Sequence, residues 1–425
     1  MKKSFTLFLS FVAYFGFITG VNATDLAVAE NGTGGAYATI TEAINAAADG
    51  DRIIVSPKSG GAPYSENLTI DKSLQFLCNN EGEMFVMQGS ITITPASGRT
   101  VTFIGMKNLL GNIDGSSNNA GSRCVVNIMN CEFTSGNLNF SYDYYDLNLV
   151  STVINGKVAM KYGKVIGNQI SAVDGYCVTI ASDANITNDT IMIIANKLIS
   201  NYPNYTHGGI YWGSSSHYFS MMNNYVKIAN AYSSWATYSY GINVVTAKNS
   251  NTGVNVIENN TLSRHIGSGG TNYSGGIQVS STPVNSTVTL MNNLIIANST
   301  ETLQWGLVFA SNSGIVSASY TYMNSYVSSP FNGLTDNGTN SIASNATIDI
   351  DGNLALASDA INAGNADSIY YDIDLTRNDI GCYGGSYTLD NYFPITGAAR
   401  VYLLMAPRRI TVGNTMNIKA EAFDR

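Results

Sequence analysis

The sequence predicts an all-β solenoid that begins with one amphipathic helix, and three observations indicate this fold class. Charged residues make up only 12% of the 425-residue chain and only 8 residues are proline, whereas Gly, Asn, Ser, Thr and Tyr are abundant. Such a composition favours short strands joined by polar turns over helices. A motif of apolar residues around asparagine recurs along the chain, and the clearest helical pattern is confined to residues 34–50.

The helix within residues 34–50 is expected to close one end of the solenoid. Thr39 and Glu42 form a T-x-x-E capping box, and Gly50 follows as a C-terminal stop. Apolar residues at helical spacing form one narrow stripe: Ile40, Ala43, Ile44 and Ala47. Because the end of a stack of coils exposes unpaired backbone groups and core, we expect this stripe to cover the first coil.

Short strands and a loose repeat follow the helix. The first predicted strands are RIIV (Arg52–Val55), NLTI (67–70) and LQFL (74–77). The repeat occurs as IMNCEF (from Ile128), VIGNQI (Val165), IIANKLI (Ile193), MMNNYV (Met221), VIENNTL (Val256), LMNNLI (Leu290) and YMNSYV (Tyr322). Second strands such as YCVTI (from Tyr176) and GGIQVS (from Gly275) lie between these copies. The Asn positions recur at roughly 27 to 38 residues, which indicates coils whose loops vary in length at one corner.

Asparagine suits the corner of such a coil for two physical reasons. It tolerates the left-handed backbone conformation that a sharp turn needs, and its amide can bond to the same residue one coil above. We therefore interpret the repeated asparagines as a structural ladder rather than as ligands for a bound molecule.

Two segments resemble a known superfamily. Residues 34–77, with YATITEAINAAADGDRIIV and YSENLTIDKSLQFL, resemble the N-terminal portion of right-handed parallel β-helix proteins of the pectin-lyase-like superfamily. Residues 358–387, with SDAINAGN and YYDIDLTRNDIGCYGGSY, resemble the last coil of many bacterial secreted β-helix repeat proteins. The resemblance implies a right-handed parallel β-helix over residues 24–392 and leaves the activity open, because fold alone does not give function.

The two ends of the chain differ from this central pattern. Residues 1–23 read as a signal peptide, with Lys2 and Lys3, an apolar stretch over residues 5–18 and small residues before the cleavage site. We therefore expect export, to the extracellular space or the outer cell surface. Residues 393–425 are predicted to be a linker and the first strands of a truncated β-sandwich-like domain, or else a packed appendage.

Composition excludes several classes of partner. The net charge is −8 and no run of Lys or Arg forms the basic stripe that nucleic-acid binding needs. After the signal peptide no segment has the ~18 apolar residues of a transmembrane helix. The five cysteines are odd in number and lack metal-ligand spacing, so we expect small buried side chains, while a bridge between Cys124 and Cys131 stays open.

Motifs of the carbohydrate-active β-helix enzymes are largely missing. The pectinesterase-like, polygalacturonase-like and pectate-lyase-like sets are not found. Lys248, before the Asn-Asn turn of VIENNTL, resembles the base of family-six-type polysaccharide lyases, and Arg264 and His265 follow in LSRHIG. These three are weak catalytic candidates, because the strand GGIQVS lacks the expected Arg; the alternative is that they are solvated loop residues.

The segment YDIDLTRNDIG is the only candidate metal site. Its carboxylates Asp372, Asp374 and Asp379 are dense enough to bind calcium. No other cofactor is indicated, and no complete calcium-loop motif is present. We favour a structural role, in which charge and an Arg–Asp pair at Arg377 close an open edge.

The stronger binding signal is aromatic. Loops and strand starts of two consecutive coils carry Tyr205, His207, Tyr211, Trp212, His217, Trp235, Tyr238 and Tyr240. Insertions at one corner of coils stacked about 4.8 Å apart would lie side by side. Aromatic faces flanked by polar groups suit sugar rings, and the alternative is that these rings pack the loops onto the solenoid wall.

These observations predict a secreted or surface β-helix protein that is non-catalytic and binds polysaccharide or mediates adhesion. Two alternatives stay open: a calcium-dependent polysaccharide lyase or related carbohydrate-active enzyme, and a structural stalk that presents a C-terminal domain.

Overall fold

The protein is a right-handed parallel β-helix in which each full coil visits three parallel sheets in turn. The computed structural model describes residues 23–80, 82–118, 120–182, 189–201, 207–229, 238–249, 253–265, 273–297, 304–309, 314–324, 327, 329–334, 336–395, 400–405, 415–416 and 418–423. The predicted fold class is therefore confirmed.

The three sheets are named I, II and III in the order in which a coil visits them. Sheet I contains Asp25–Val28, Arg52–Val55, Leu74–Cys78, Thr100–Ile104, Cys124–Met129, Tyr145–Val150, Gly163–Ile166, Thr190–Ile194, Tyr218–Met222, Asn255–Glu258, Thr287–Met291 and Ile315–Ser319. Sheet II contains Tyr64–Ser65, Phe85–Gln88, Met106–Asn108, Glu132–Phe133, Val153–Asn155, Gln169–Ala172, Lys197–Ser200, Tyr225–Ala229, Thr261–His265, Leu294–Ile296, Tyr322–Asn324 and Ser341–Ser344. Sheet III contains Leu68–Ile70, Ile91–Ile93, Ile113–Gly115, Leu138–Phe140, Val158–Met160, Tyr176–Ile180, Gly208–Trp212, Tyr238–Val244, Tyr273–Val279, Gln304–Phe309 and Ser329–Asn332.

The interior of the coils is one continuous apolar core. Alternate residues of most strands are buried, as in Cys124–Met129, and like residues stack from coil to coil. The rings of Phe76 and Phe103, partners in adjacent sheet I strands, stack with centroids 4.9 Å apart. The number of residues per coil varies widely: Leu149 pairs with Val165 in the next coil, whereas Met221 pairs with Ile257.

The corner between sheets I and II explains the asparagine repeat, and it uses the two positions of the motif differently. The first position takes the left-handed conformation, with φ near +50° to +66° at Asn130, Ser151, Gly167, Ala195, Asn223, Asn259, Asn292 and Tyr320. These values lie in the region that Gly and Asn adopt most readily among the residues. The first position therefore makes the turn.

The second position of the motif forms the ladder. The side-chain amides of Asn168, Asn196, Asn224, Asn260 and Asn293 are buried and stacked, each Nδ2 donating to the Oδ1 of the next at 2.9 to 3.0 Å. Each Oδ1 also accepts from the backbone N–H of the previous coil, as Asn224 does from Asn196 at 3.1 Å. The structural interpretation of these asparagines is confirmed.

The last predicted copy of the repeat is out of register. Tyr322–Asn324 of YMNSYV is a sheet II strand, and the corner of that coil lies earlier, at Tyr320 and Thr321. Asn324 instead stands at the far end of sheet II, where its Nδ2 donates to the carbonyl of Ala297 at 2.9 Å. Apolar residues flank Asn324 just as they flank the asparagines at the corner, so the local pattern alone does not distinguish these two positions.

The N-terminal helix α1 comprises Ile40–Ala46 and is shorter than the predicted 34–50. The capping box forms as predicted, but the helix ends at Ala46, with Ala47 as its C-cap, before it reaches Gly50. Its stripe, Ile40, Ala43, Ile44 and Ala47, is buried in the main core. Glu66 accepts from the first backbone N–H groups of α1, and Lys72 donates to its last carbonyls, so opposite charges tie both ends to the first coils. The other helical segments in the described part of the chain are short 3-10 stretches at Glu30–Gly35, which non-helical residues interrupt, and at Ser59–Gly61, Ser368–Tyr370 and Leu389–Asn391.

Residues 345–395, named the C-terminal strap, fold back along the outside of the corner between sheets I and II. The expectation of a final coil in 358–387 is wrong, because this segment contributes no strand to the three sheets. Instead, the backbone N–H of Cys382 donates to Thr261 Oγ1 at 2.9 Å, and Asn223 Nδ2 donates to the carbonyl of Cys382 at 3.2 Å. An apolar cluster packs the strap against the coils. The coils contribute Val150, Ile166, Ile194, Ala195, Met222 and Tyr225, and the strap contributes Cys382, Tyr387, Leu389 and Tyr392.

Two further expectations concern the C-terminal residues and the thiols. Arg400–Met405 pairs with Lys419–Phe423 as an antiparallel hairpin, and whether it begins a β-sandwich stays a prediction. All five cysteines are free thiols; four are buried, and burial raises the pKa of Cys131 to about 12. The interpretation of the cysteines as small core residues is confirmed for those four.

Candidate functional site

The outer face of sheet III carries an open groove of about 390 Å³. Its described lining is Tyr240, Asn243, Gln278, Trp305, Val308 and Asn332. These residues come from four successive coils, so the groove crosses the strands and runs along the helix axis. We call it the sheet III groove.

One wall of the groove belongs to a column in which aromatic residues alternate with glycine. The parallel register places Tyr176, Gly208, Tyr240, Gly275 and Trp305 side by side from coil to coil. A Cβ at Gly208 would lie 2.6 Å from the ring of Tyr176, and one at Gly275 would lie 2.4 Å from the ring of Tyr240. Each tyrosine ring therefore lies against the glycine of the next coil, where any side chain would displace it.

The other wall is a column of three amide side chains and one valine. Asn243, Gln278, Val308 and Asn332 occupy one register position, between inward-facing apolar residues. Asn243 Nδ2 lies 3.3 Å from the hydroxyl of Tyr176, and Asn243 Oδ1 has no hydrogen-bond partner among the described residues. Burial raises the pKa of Tyr176 to about 12, so its hydroxyl stays neutral.

A second glycine column lies where sheet II side chains approach the sheet III backbone closely. Inward-facing Gly209, Gly241, Gly276 and Gly306 each follow a residue of the outer column. A Cβ at Gly241 would lie 2.1 Å from the side chain of Leu262, and one at Gly276 would lie 2.6 Å from Ile295. Glycine is required because sheet II side chains fill this space. In two of the coils this close contact also sets the position of the aromatic residue just before the glycine, Tyr240 or Trp305.

The predicted aromatic set is divided by the structure. Tyr211 and Tyr240 lie on the outer face of sheet III, and Tyr211 is the backbone pairing partner of Asn243 in the next coil. Trp212 is fully buried in the core, with its ring edge-on to Phe219 at 5.0 Å. Tyr205 and Trp235 lie outside the described residues, as does the side chain of Tyr238, whose backbone begins the strand Tyr238–Val244.

Both predicted histidines are buried. His207 Nδ1 and Ser239 Oγ are hydrogen-bonded at 3.1 Å. His217 packs against Tyr162, with ring centroids 4.8 Å apart. These contacts place the imidazoles in the packing between coils rather than in the sheet III groove.

The weak catalytic candidates stand at different corners of the coil. Lys248 lies between sheets III and I; it is buried, donates to the carbonyl of Ser216 at 3.1 Å and lies 4.6 Å from the ring centre of Tyr218. Arg264 and His265 end a sheet II strand, and their side chains lie outside the described residues. Sheet III separates the two corners, so Lys248 is not brought together with Arg264 and His265. The contacts of Lys248 instead join turns of adjacent coils.

The acidic candidates brace the C-terminal strap. Asp372 accepts from the backbone N–H groups of Asp379, at 3.0 Å, and Gly385. Burial raises the pKa of Asp372 to about 6, whereas hydrogen bonds from Thr376 hold the pKa of Asp374 below its usual value. Within the described residues, no group of three or more His, Cys, Asp or Glu is placed to hold a metal ion.

Sequence reasoning missed Trp305, Asn243, Gln278 and Asn332. A signal was present for the first three. Trp305-Gly306 repeats the aromatic–glycine pair of Tyr240-Gly241, and Asn243 and Gln278 each stand between two apolar residues of a strand. Placing them in one groove required the register across coils of unequal length.

Comparisons with protein-family models, with curated proteins and with solved structures give no match. No helix in the described part of the chain is long and apolar enough to cross a membrane.

Proposed function

We propose that this chain is a secreted or cell-surface β-helix protein that binds polysaccharide, without catalysis, through the sheet III groove. The observation that carries the proposal is the pairing of an aromatic column with an amide column along one groove. The N-terminal signal pattern and the likeness of residues 34–77 to pectin-lyase-like proteins support export and a carbohydrate ligand.

The groove matches the two kinds of surface on a sugar ring. The C–H face of a pyranose is apolar and packs on aromatic rings such as the partly exposed Trp305. Its hydroxyl edge both donates and accepts hydrogen bonds, as do the amides of Asn243 and Gln278. Sites of this type are concave and mostly apolar with a few placed polar groups.

A glycan array followed by calorimetry tests this proposal. We expect Trp305→Ala to weaken binding about tenfold or more, because truncating a central aromatic costs more than about 1 kcal/mol. Tyr142→Ala is the matched control and should bind as the wild type does, since Tyr142 is exposed and follows Leu138–Phe140, four strands before Tyr238–Val244 in sheet III. Failure of the wild type to bind any glycan, or unchanged affinity in Trp305→Ala, would overturn the proposal.

The non-catalytic part of the proposal has a separate test. The purified protein is incubated with alginate, pectate and chondroitin in the presence of calcium, and the ultraviolet absorbance of unsaturated products is followed. We expect no rise. A rise that Lys248→Ala abolishes would show a lyase.

A further inference from the structure

We infer that the ligand of the sheet III groove is an uncharged, extended glycan of the β-1,4-linked type, lying along the helix axis. This inference rests on the proposed function and names the class of glycan. Three features carry it: the direction of the groove, the spacing of its aromatic residues and the absence of charge in its described lining.

The direction follows from the register. Asn243, Gln278, Val308 and Asn332 are ladder partners, so the line that joins them runs perpendicular to the strands and parallel to the helix axis. Adjacent strands are about 4.8 Å apart, so the three steps span roughly 14 Å, which accommodates about three sugars. A linear chain fits this shape better than a branched or compact one.

The spacing follows from the alternation of aromatic residues and glycine. Tyr240 and Trp305 lie two coils apart, about 9.6 Å, because the ring of Tyr240 occupies the space above Gly275. This distance is close to the length of one disaccharide in an extended β-1,4-linked chain, which presents the same ring face at every second sugar. Trp305 is partly exposed and supports one sugar, whereas Tyr240, which is only 3% exposed, contributes just the rim of its ring to the groove.

The lining determines the preferred charge. Its described side chains are aromatic, amide or aliphatic, with no Lys, Arg, Asp or Glu among them. A uronate carboxylate placed here would lose water without gaining a counter-charge, which is costly, whereas hydroxyl groups can pair with the amides. The groove therefore favours neutral sugars over the acidic polysaccharides.

The test is a titration of the full-length chain with oligosaccharide series from disaccharide to hexasaccharide. We expect cello-, manno- or xylo-oligosaccharides to gain affinity up to about three or four sugars and then to level off, because the groove ends there. Maltohexaose and oligogalacturonate should bind at least about tenfold more weakly. Asn332→Ala should weaken the binding of trisaccharides and longer chains more than that of the disaccharide, because Asn332 lies at the end of the groove.

Two substitutions that place opposite charges at Gln278 test the inference even if the substitutions to alanine perturb folding. Gln278→Lys should raise affinity for oligogalacturonate about tenfold, and Gln278→Glu should lower it, with circular dichroism unchanged in both. Equal or tighter wild-type binding of oligogalacturonate or maltohexaose, lost in Trp305→Ala, would overturn this inference and leave the proposed function standing. Failure to bind any glycan would overturn both.

Discussion

At the scale of single residues, the corner between sheets I and II divides the work of asparagine between two neighbouring positions. Asn223 adopts a positive φ of 54° and makes the turn, while Asn224 points inward and bonds to the coils on both sides. The first role also suits Gly, Ser or Ala, which occur there in other coils. The second role needs a side chain that both donates and accepts, so Asn persists over five coils.

The ladder predicts a large effect of Asn224→Ala on stability. The substitution removes the acceptor of Asn196 and leaves the carbonyl of Ile193 without its 2.8 Å donor. Unpaired buried groups cost about 1–3 kcal/mol each, so we expect the free energy of unfolding to fall by roughly 2–3 kcal/mol, measured by urea denaturation.

Asn201→Ala is the matched control, since Asn201 is exposed. It should change the free energy of unfolding by less than about 0.5 kcal/mol. Equal effects of the two substitutions would show that the ladder contributes nothing specific.

At the scale of elements, helix α1 acts as a lid on the first coil. Its seven residues are too few to be stable alone in water, so its stability comes from packing and from the ties at its ends. Ile40 and Ile44 enter the same core that the strands line, whereas Asn45 faces outward. The helix therefore protects apolar surface that would otherwise invite association.

The lid predicts that Ile40→Ala destabilises the protein. Ile40 is fully buried, and truncating a buried Ile costs about 2–5 kcal/mol in free energy of unfolding. Light scattering during urea titration should also show aggregation at lower denaturant than in the wild type. Asn45→Ala, on the opposite face, should match the wild type in both measurements, and a similar loss in both variants would contradict the lid.

At the scale of the whole molecule, the C-terminal strap joins parts of the chain more than a hundred residues apart. Asn259 Nδ2 donates to Asn378 Oδ1 at 3.0 Å, and Lys197 forms an ion pair with Asp351 at 3.1 Å. These contacts cover the left-handed turns of several coils at once. The strap therefore links coils that otherwise touch only their neighbours.

The strap predicts a local pH dependence through Asp372. Burial raises the pKa of this carboxyl to about 6 in the folded chain, above its value near 4 when unfolded. The folded state therefore binds more protons between about pH 4 and 6, and stability falls as pH rises through this range. Hydrogen exchange of strap amides, corrected for intrinsic rates, should show stronger protection at pH 5 than at pH 7.

Asp372→Asn removes the titration and keeps one of the two oxygens that accept backbone N–H groups of the strap. We expect this variant to lose most of the change in strap protection between pH 5 and pH 7. The same change in the variant, or stronger protection at pH 7, would contradict the role of Asp372. Asp374 does not interfere in this window, because its pKa is lowered, whereas burial also raises the pKa of Asp379, which accounts for the part of the change that the variant keeps.

Local sequence patterns predicted much of the fold. Arg52–Val55 and Tyr176–Ile180 are strands with the predicted bounds, and the capping box of Thr39 and Glu42 forms. These features depend on spacing within a few residues. The C-terminal end of α1 was placed too late, because Gly50 is a stop signal that the chain reaches only after the helix has already ended at Ala46.

The sequence by itself determined the class of fold, the asparagine corner and the single N-terminal helix, because each arises from periodicity and turn chemistry within one coil. Only the tertiary structure decided that Trp305 joins Tyr240 and Gln278 in one groove, that Trp212 enters the core and that residues 345–395 fold back as a strap. The physical reason is that these placements depend on register between coils of unequal length and on contacts across the whole stack, which no local pattern encodes.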